Sequence, residues 1–369
     1  MRLLAVLFAL ACGFQAHAAD APSFRVDPYW PKPLPNDWIM GQAAGVSVDA
    51  QDRVWVVQRP RSLTDDEKAA SLTPPRTKCC RPAPPVLVFD QEGNLVKVWG
   101  GPGTGYDWPA NEHGIHVDHK GFVWLAGNGD TDGQILKFDQ DGKFILQIGK
   151  SGPQTNSADT SRLGKPAHMQ VDPATNELYV ADGYFNHRVI VFDAETGAYK
   201  RHWGAYGKPP TDEALGPFDP AAPPAQQFRN PVHCVQVARD GLVYVCDRTN
   251  NRVQVFRTDG TFVKEYFVEK ETRANGSVWE LALWPDDAQS FLLNADGANN
   301  EVRTLDRDSG KVLGRFGRNG RQAGDFHWVH NLAIDRKGNV FTTEVDTGKR
   351  AQKFLLQGEM VLRKRSTTP

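Results

Sequence analysis

Short apolar runs with a period of two recur along this chain, and turns rich in Asp, Gly, Pro and Asn separate them. The stretch Leu163–Gly204 shows this pattern in MQVD, ELYVAD, RVIVFD and AYKRHW. Alternation of this kind is typical of strands that are half-buried on each face, and none of these runs has helical spacing. The stretch therefore predicts four short strands joined by turns.

The same unit recurs six times. Each copy begins with an apolar strand and a tight turn, continues with a second strand, and has a third strand that ends in an aromatic residue in every copy except the fifth, where Leu305 stands. The first-strand anchors begin at Val46, Ile115, Met169, Val235, Leu281 and Leu332. Four-stranded repeats of about 40 to 50 residues are typical of propellers. We therefore predict an all-β, six-bladed β-propeller with four-stranded blades.

Composition agrees with one large domain of many turns, because the 369 residues are 40% hydrophobic and include 34 Gly and 25 Pro. The formal net charge is -1, which gives no broad electrostatic attraction for nucleic acid or an anionic membrane. We expect a monomer that binds a small-molecule or peptide substrate, with no nucleic-acid partner.

The first residues predict export. Residues 1–18 combine Arg2, an apolar run and Ala-His-Ala before Ala19, which is typical of a cleaved secretory signal and too short to span a membrane. A lipoprotein acylated at Cys12 is the alternative. We expect a secreted or periplasmic protein with a Pro-rich arm at 19–39 and a propeller at 40–369. The arm either lies on the propeller surface or adds a strand to the last blade.

Export permits disulfides among the four cysteines that follow the signal. Cys234 and Cys246 flank a tight turn on adjoining strands and could bridge, whereas the adjacent Cys79 and Cys80 could form a vicinal bond or stay reduced. Four cysteines allow three pairings, and the sequence does not choose among them.

Three long insertions interrupt the repeats at 60–85, 150–162 and 205–227, and all are rich in Pro, Ser, Asp or Gly. Loops on a rigid scaffold often form the rim of a site. Inert, solvated loops are the alternative.

Superposing the repeats reveals candidate chemistry at one position. At this position of the repeat, blades one to six have Ala44, His113, Ala167, His233, Trp279 and His330. Histidine thus occurs in alternate blades, and the first strand of each blade lines the central channel. Three imidazoles should converge on the channel axis, where they would bind zinc and leave its fourth position open.

Over all six blades, from Gly41 to Phe354, the chain resembles the NHL-repeat propeller of peptidyl-α-hydroxyglycine α-amidating lyase. The most specific segments are GQAAGVSVD, EHGIHVD, DGYFNHR, NPVHCVQVA, CDRTNNRVQVF and WVHNLAID. Enzymes of this family split a hydroxyglycine into an amide and glyoxylate. The resemblance implies a zinc ion on His113, His233 and His330, the same trio that the repeat alignment selects.

The resemblance also implies two catalytic residues. The tyrosine of the DGY motif matches Tyr184, and the active-site arginine matches Arg59. Phe185 replaces a disulfide cysteine of the family and Trp328 replaces a methionine, so the pocket wall differs. We expect Trp279 and Trp328 to line the substrate pocket.

A structural calcium ion is implied as well. The backbone carbonyls that hold it in the family match Val46 and Ile115, but Asn331 occupies the position of the carboxylate ligand. Because an amide oxygen brings no charge, weaker calcium binding is expected.

The resulting hypothesis is a metal-dependent carbon–nitrogen lyase that cleaves an α-hydroxyglycine or a related small α-hydroxy compound. Tyr184 would take the hydroxyl proton, and Arg59 would face a substrate carboxylate. One alternative is a non-enzymatic propeller that binds a protein or ligand and holds a structural metal in its channel. Another is a lactonase-type hydrolase, although such sites use Asp, Glu and Asn ligands.

Overall fold

The computed structural model describes residues 21–360, so the predicted signal at 1–18 lies outside the described residues. The regular elements of this range are strands and short 3₁₀ helices, which turns and loops connect, and the range has no α-helix. No helix in the described range is therefore long and apolar enough to cross a membrane.

Blade one follows two short strands and is interrupted by a third. The strands in this part of the chain are β1 (Ser23–Asp27), β2 (Trp38–Ile39), β3 (Gln42–Val48), β4 (Val54–Arg59), β5 (Arg81–Pro82), β6 (Val86–Phe89) and β7 (Leu95–Trp99). Strands β3, β4, β6 and β7 form the blade, and β2 pairs in parallel with β5 beside it.

Blades two to five each consist of four consecutive antiparallel strands. Blades two and three contain β8 (Glu112–Val117), β9 (Val123–Gly127), β10 (Gln134–Phe138), β11 (Phe144–Gly149), β12 (Pro166–Asp172), β13 (Glu177–Asp182), β14 (Arg188–Asp193) and β15 (Tyr199–Trp203). Blades four and five contain β16 (Val232–Val237), β17 (Leu242–Asp247), β18 (Arg252–Arg257), β19 (Phe262–Phe267), β20 (Glu280–Leu283), β21 (Phe291–Asp296), β22 (Glu301–Asp306) and β23 (Val312–Phe316).

Blade six joins the two ends of the described chain. Its inner strands are β24 (Val329–Ile334), β25 (Val340–Glu344) and β26 (Arg350–Gln357), and β1 is its outermost strand. The register pairs Ser23 with Gln357 and Asp27 with Lys353. Of the two alternatives for the N-terminal arm, the structure shows the added strand.

The inner strands close a ring around a channel. Strands β3, β8, β12, β16, β20 and β24 contact one another in that order, and β24 also contacts β3. Apolar side chains fill each of the six blade-to-blade interfaces, as where Trp203 of blade three meets Phe256 of blade four. The predicted six-bladed β-propeller is confirmed.

The turn after each inner strand explains the repeated anchor motif. The Asp49 carboxylate accepts hydrogen bonds from the Gln51 and Arg53 backbone N–H groups and from Trp55 Nε1. Asp118 makes the same set of bonds in blade two. One carboxylate thus fixes a turn and anchors a tryptophan of the next strand, which keeps the register of both strands.

Short 3₁₀ helices and disulfides occur in the connections. The helices are η1 (Pro60–Ser62), η2 (Ala69–Ser71), η3 (Ala205–Gly207) and η4 (Arg248–Asn250). Cys234 bridges Cys246 on the neighbouring strand, and Cys79 bridges Cys80. The structure thereby selects one of the three pairings that the sequence allowed.

Candidate functional site

The three histidines meet in the channel as the repeat alignment predicts. Their ring centroids are 4.6 Å apart for His113 and His330, 4.9 Å for His233 and His330, and 5.1 Å for His113 and His233. One ring nitrogen of each lies within 4.8 Å of the others. All three side chains are buried, with at most 2% exposure.

A β-bulge aims each imidazole into the channel. The pairing of each inner strand with its neighbour shifts register at His113, His233 and His330. A bulge leaves one residue out of the ladder and redirects its side chain. The same shift occurs at Ala44 and Ala167, so the bulge belongs to the repeat and histidine occupies it in alternate blades.

Blades without a histidine orient the imidazoles. His113 Nδ1 lies 2.8 Å from the carbonyl oxygen of Ala167. His233 Nδ1 lies 2.5 Å from that of Trp279, and His330 Nδ1 lies 2.6 Å from that of Ala44. A carbonyl oxygen can only accept, so each Nδ1 carries the proton and each Nε2 keeps a lone pair. Each histidine is therefore held by the equivalent residue of the next blade.

Burial keeps these imidazoles neutral. Burial is the main reason why the pKa values of His113 and His233 lie well below the ordinary value for histidine. It also lowers the pKa of His330 to about 3. The cation Arg248 lowers all three pKa values further, and Arg59 lowers those of His113 and His330. Three neutral imidazoles with free Nε2 lone pairs are the donor set that zinc takes when one position stays open, so the residues fit the implied metal.

Tyr184 contacts two of the three histidines. Its hydroxyl oxygen lies 3.0 Å from His113 Nε2 and 3.0 Å from His233 Nε2, and it accepts a 3.2 Å hydrogen bond from Arg248 Nη1. A hydroxyl has one proton, so it can satisfy only one of the two nitrogens. The lone pair of the other Nε2 atom is therefore available to a cation.

The loop that carries Tyr184 passes very close to the next blade. A Cβ on Gly183 would lie 2.2 Å from the backbone nitrogen of Val232, so glycine is required there. The Asn230 side chain donates a 2.7 Å hydrogen bond to the Gly183 carbonyl. This close approach places the DGY motif at the mouth of the channel.

Two buried arginines flank the histidines. Arg59 donates from Nε to the Glu112 carbonyl at 2.6 Å and from Nη1 to Gln42 Oε1 at 2.7 Å. The Arg248 guanidinium stacks 4.3 Å from the Trp279 ring, and its buried Nε has no partner among the described residues. Burial lowers the pKa of both arginines.

Sequence reasoning missed Arg248, although a signal for it was present. Arg59 ends β4 of blade one, and Arg248 follows the end of β17 in blade four, which is the same place in the repeat. These two blades are opposite one another in a ring of six. Aligning second strands as well as first strands would therefore have identified the pair.

Two other buried arginines, Arg188 and Arg252, have a structural role. Arg188 pairs with Asp182 at 2.9 Å and Arg252 pairs with Asp247 at 2.7 Å, with all four side chains fully buried. Blades five and six repeat this contact with Arg303 to Asp296 and Arg350 to Glu344. These pairs fix the ends of the second strands.

The two predicted pocket tryptophans lie together beside the histidines. The Trp279 ring is 5.9 Å from the His233 ring and 5.7 Å from the His330 ring, and it is 5.3 Å from Trp328. Trp328 has a φ of +57°, which is uncommon for a bulky side chain, and its N–H donates to Asn300 Oδ1 at 2.7 Å. The two rings form an apolar wall.

A cavity of about 480 Å³ adjoins the Tyr184 side chain. It lies between the DGYF loop and parts of the second and third insertions, and its lining includes Phe185, His187, Leu215 and Arg229. Phe185 is 40% exposed. The cavity offers a way for a substrate to reach the tyrosine from outside.

The residues predicted to hold calcium lie elsewhere in the channel. Asn331 Oδ1 accepts a 3.3 Å hydrogen bond from the Val46 N–H, and Asn331 Nδ2 donates at 2.7 Å to Glu280 Oε2. Val46 and Ile115 both line a second cavity of about 230 Å³. The carboxyl group beside Asn331 is thus that of Glu280, which sequence reasoning did not select.

Comparison with known proteins agrees with the repeat assignment. The NHL repeat family matches residues 230–256, within blade four. Rat peptidylglycine alpha-amidating monooxygenase is 26% identical to this chain. The alignment covers 88% of this chain and 32% of the rat protein. The chain therefore spans about a third of the length of this relative.

Two further relatives differ in what their names imply. A probable peptidyl-alpha-hydroxyglycine alpha-amidating lyase of Caenorhabditis elegans is 23% identical to this chain. The alignment covers 64% of this chain and 62% of the worm protein. Mouse NHL repeat-containing protein 3 is 25% identical over 91% of this chain and 85% of its own length, and its name states no activity.

Proposed function

We propose that this chain is a zinc-dependent carbon–nitrogen lyase, because one segment matches the NHL repeat family and the chain is distantly similar to amidating enzymes. Its substrate would be an α-hydroxyglycine at the end of a peptide or a related small α-hydroxy amide. The observation that carries this proposal is the position of the Tyr184 hydroxyl, 3.0 Å from the Nε2 atoms of His113 and His233 and within hydrogen-bond reach of Arg248.

His113, His233 and His330 would hold the zinc through Nε2, because their Nδ1 atoms are engaged with backbone carbonyls. The ion would supply Lewis acidity to the substrate hydroxyl. The carbonyl contacts fix the three rings, so little reorganisation is needed on binding.

Tyr184 acts as the proton carrier in this scheme. Tyr184 enters the reaction as a tyrosinate, and it accepts the proton of the substrate hydroxyl while the carbon–oxygen bond becomes a carbonyl and the carbon–nitrogen bond breaks. The departing amide nitrogen keeps the electron pair of that bond and takes the proton from Tyr184, so the hydroxyglycine yields an amide and glyoxylate with no change of oxidation state. Arg248 stabilises the tyrosinate through its hydrogen bond to the phenolic oxygen.

The two arginines give the site its preference for an anionic substrate. The Arg248 Nε has no partner in the described range 21–360, and Arg59 lies close enough to lower the pKa values of His113 and His330. Guanidinium groups bind carboxylates with directed hydrogen bonds. They would hold the carboxylate of the hydroxyglycine next to the reacting carbon.

Glyoxylate release from a synthetic peptide ending in α-hydroxyglycine tests the proposal. We expect release by zinc-loaded protein, loss of release after chelation, and recovery on adding zinc back. Zinc-loaded protein that releases no glyoxylate from such a peptide would contradict it. The Tyr184→Phe variant is the matched control, since it keeps the ligands and removes the proton carrier.

A binding propeller without catalysis is the second candidate. The match to NHL repeat-containing protein 3, over 85% of that protein, favours it. In that case zinc would stay bound, Tyr184→Phe would change nothing, and no α-hydroxy amide would be consumed.

A further inference from the structure

The outer cavity and the channel meet at Tyr184. The side chain of this residue lines the cavity of about 480 Å³, and its hydroxyl oxygen lies 3.0 Å from the Nε2 atoms of His113 and His233. One residue thus belongs both to the histidine cluster and to the cavity wall. A molecule held at the histidines can therefore extend past the tyrosine into the cavity.

The order of groups in an α-hydroxyglycine matches the order of groups in the protein, and this step rests on the proposed function. The carbon that carries the hydroxyl lies between a carboxylate and an amide nitrogen, and an acyl group follows the nitrogen. Arg59 and Arg248 would hold the carboxylate, and the nitrogen must reach the Tyr184 hydroxyl to take its proton. The acyl group therefore leaves the channel on the tyrosine side, where the cavity lies.

Ser157 connects three walls of this cavity. Its N–H and its hydroxyl donate to the Asp212 carboxylate at 3.0 Å and 2.5 Å, and its Oγ accepts a 2.9 Å hydrogen bond from the His187 N–H. Asp212 belongs to the third insertion, Ser157 to the second, and His187 to the loop that carries Tyr184. Ser157 is completely buried. The walls are therefore fixed relative to one another and to the tyrosine.

Most charged or amide side chains of the cavity wall already have protein partners. Asn230 donates to three backbone carbonyls, and Arg229 donates to a carbonyl and to an asparagine. His187 Nδ1 lies 2.9 Å from another carbonyl oxygen. The exposed carboxylate of Glu213 differs, because it has no partner within residues 21–360. Polar selection by this wall would thus fall to Glu213, which would favour a cation.

The large apolar side chains of the wall are Phe185 and Leu215. Phe185 is 40% exposed and Leu215 is half-buried, so both have apolar surface that a ligand can cover. A cavity of roughly 150 Å³ is enough for one benzene ring, so this one has space for an aromatic side chain and the backbone beside it. Pockets of this kind commonly select their ligand by apolar contact.

We propose that the outer cavity binds the acyl side of the substrate and selects a bulky apolar group on the residue before the hydroxyglycine. Phe185 and Leu215 determine this specificity. Because Phe185 replaces a cysteine of the family that the chain resembles, the preference belongs to this chain. The substrate class is then an apolar peptide or N-acyl compound, and not a free α-hydroxy acid.

Binding of unreactive peptides to the zinc-loaded full chain tests this inference. Three acetylated peptides that end in ordinary glycine carry the carboxylate but no hydroxyl, and they differ only in having phenylalanine, glycine or lysine before that glycine. By isothermal titration calorimetry, the phenylalanine peptide should bind about 10-fold more tightly than the other two. Tightest binding of the lysine peptide would assign selection to Glu213 and overturn the proposal. Equal binding of all three, or binding of none, would also overturn it.

Variants assign the preference to residues. Phe185→Ala should reduce it by about threefold, and the double variant Phe185→Ala with Leu215→Ala should bind the phenylalanine and glycine peptides equally. Phe218→Ala is the matched control, because Phe218 is an aromatic residue of the same insertion that lines a separate cavity of about 80 Å³. This control should keep the full preference. A double variant that also keeps it would refute the assignment.

The binding test does not depend on turnover, so it separates this inference from the lyase hypothesis. A preference for the phenylalanine peptide without glyoxylate release from the matching hydroxyglycine peptide would refute the lyase and support the apolar cavity. Glyoxylate release together with equal binding of the three peptides would refute the apolar cavity alone.

Discussion

Two layers of the same channel differ in how they are built. The three-histidine layer uses one repeat position, and the blades between the histidines contribute the carbonyls of Ala44, Ala167 and Trp279. The Glu280 layer uses one carboxylate of blade five, with an amide of blade six and the backbone of blade one. The first layer follows the symmetry of the ring, and the second departs from it. A repeat can thus provide a symmetric cluster of nitrogen atoms and an asymmetric cluster of polar groups in one channel.

Removing a ligand of the histidine layer should have the largest effect. His233→Ala leaves two imidazoles, so we expect loss of bound zinc and a fall of glyoxylate release to the background rate. Metal analysis and a coupled glyoxylate assay measure both.

His168→Gln is the control for that variant, because His168 is also a buried channel histidine but lies in the other layer. Glutamine can still accept the hydrogen bond from the Val235 N–H that His168 Nδ1 now accepts. Its zinc content should equal that of the wild type, and loss of zinc here would contradict the separation into two layers.

Tyr184→Phe should affect chemistry and leave the zinc in place. Loss of a positioned acid–base group reduces turnover by about 10²- to 10⁴-fold. We expect a fall of this size in kcat with unchanged zinc content, measured by steady-state kinetics and metal analysis. Undiminished kcat would remove the tyrosine from the mechanism.

Arg248→Lys tests whether the opposed arginines recognise a carboxylate. A lysine keeps the charge but loses the directed guanidinium contacts, so kcat/KM for a substrate with a free carboxylate should fall by about 10- to 100-fold. The same substrate with its carboxylate converted to an amide should be affected little. Arg252→Lys, at a buried ion pair, should lower the unfolding midpoint and leave this discrimination intact; equal losses on both substrates would refute the assignment.

Phe185→Ala should have the smallest effect. Phe185 lines the outer cavity and touches neither layer of the channel, so we expect about a threefold rise in KM for peptides with an apolar residue before the hydroxyglycine. Peptides with glycine at that position should show no change. A large fall in kcat would mean that the outer cavity takes part in the chemistry.

The sequence predicts the symmetric features of this molecule well. Six similar repeats indicate a six-bladed ring, and the alternation of His113, His233 and His330 indicates their convergence before any coordinates are known. Arg248 could have been found in the same way, because it shares its repeat position with Arg59. Tyr184 has no counterpart in the other blades, and only the family resemblance points to it.

Features that occur once are not accessible to such reasoning. Glu280 follows Trp279 in a strand that looks ordinary in sequence, and its contacts with Gln236 and Asn331 depend on which side chains blades four and six place beside it. The bridge between Cys234 and Cys246 and the strand formed by Ser23–Asp27 were each among the alternatives that the sequence allows. The sequence does not choose among those alternatives, because the choice depends on distances within the folded chain.

The pairing of β1 with β26 also has a consequence for the order of events in folding. Ser23 lies opposite Gln357, so blade six cannot be completed until nearly the whole chain is available. Closing so long a loop is slow in comparison with forming a hairpin within one blade. Blades one to five can form as the chain lengthens, whereas the ring, and with it the convergence of three histidines from three blades, is completed last. The metal site would therefore report on finished folding, because a chain that has not closed has no complete ligand set.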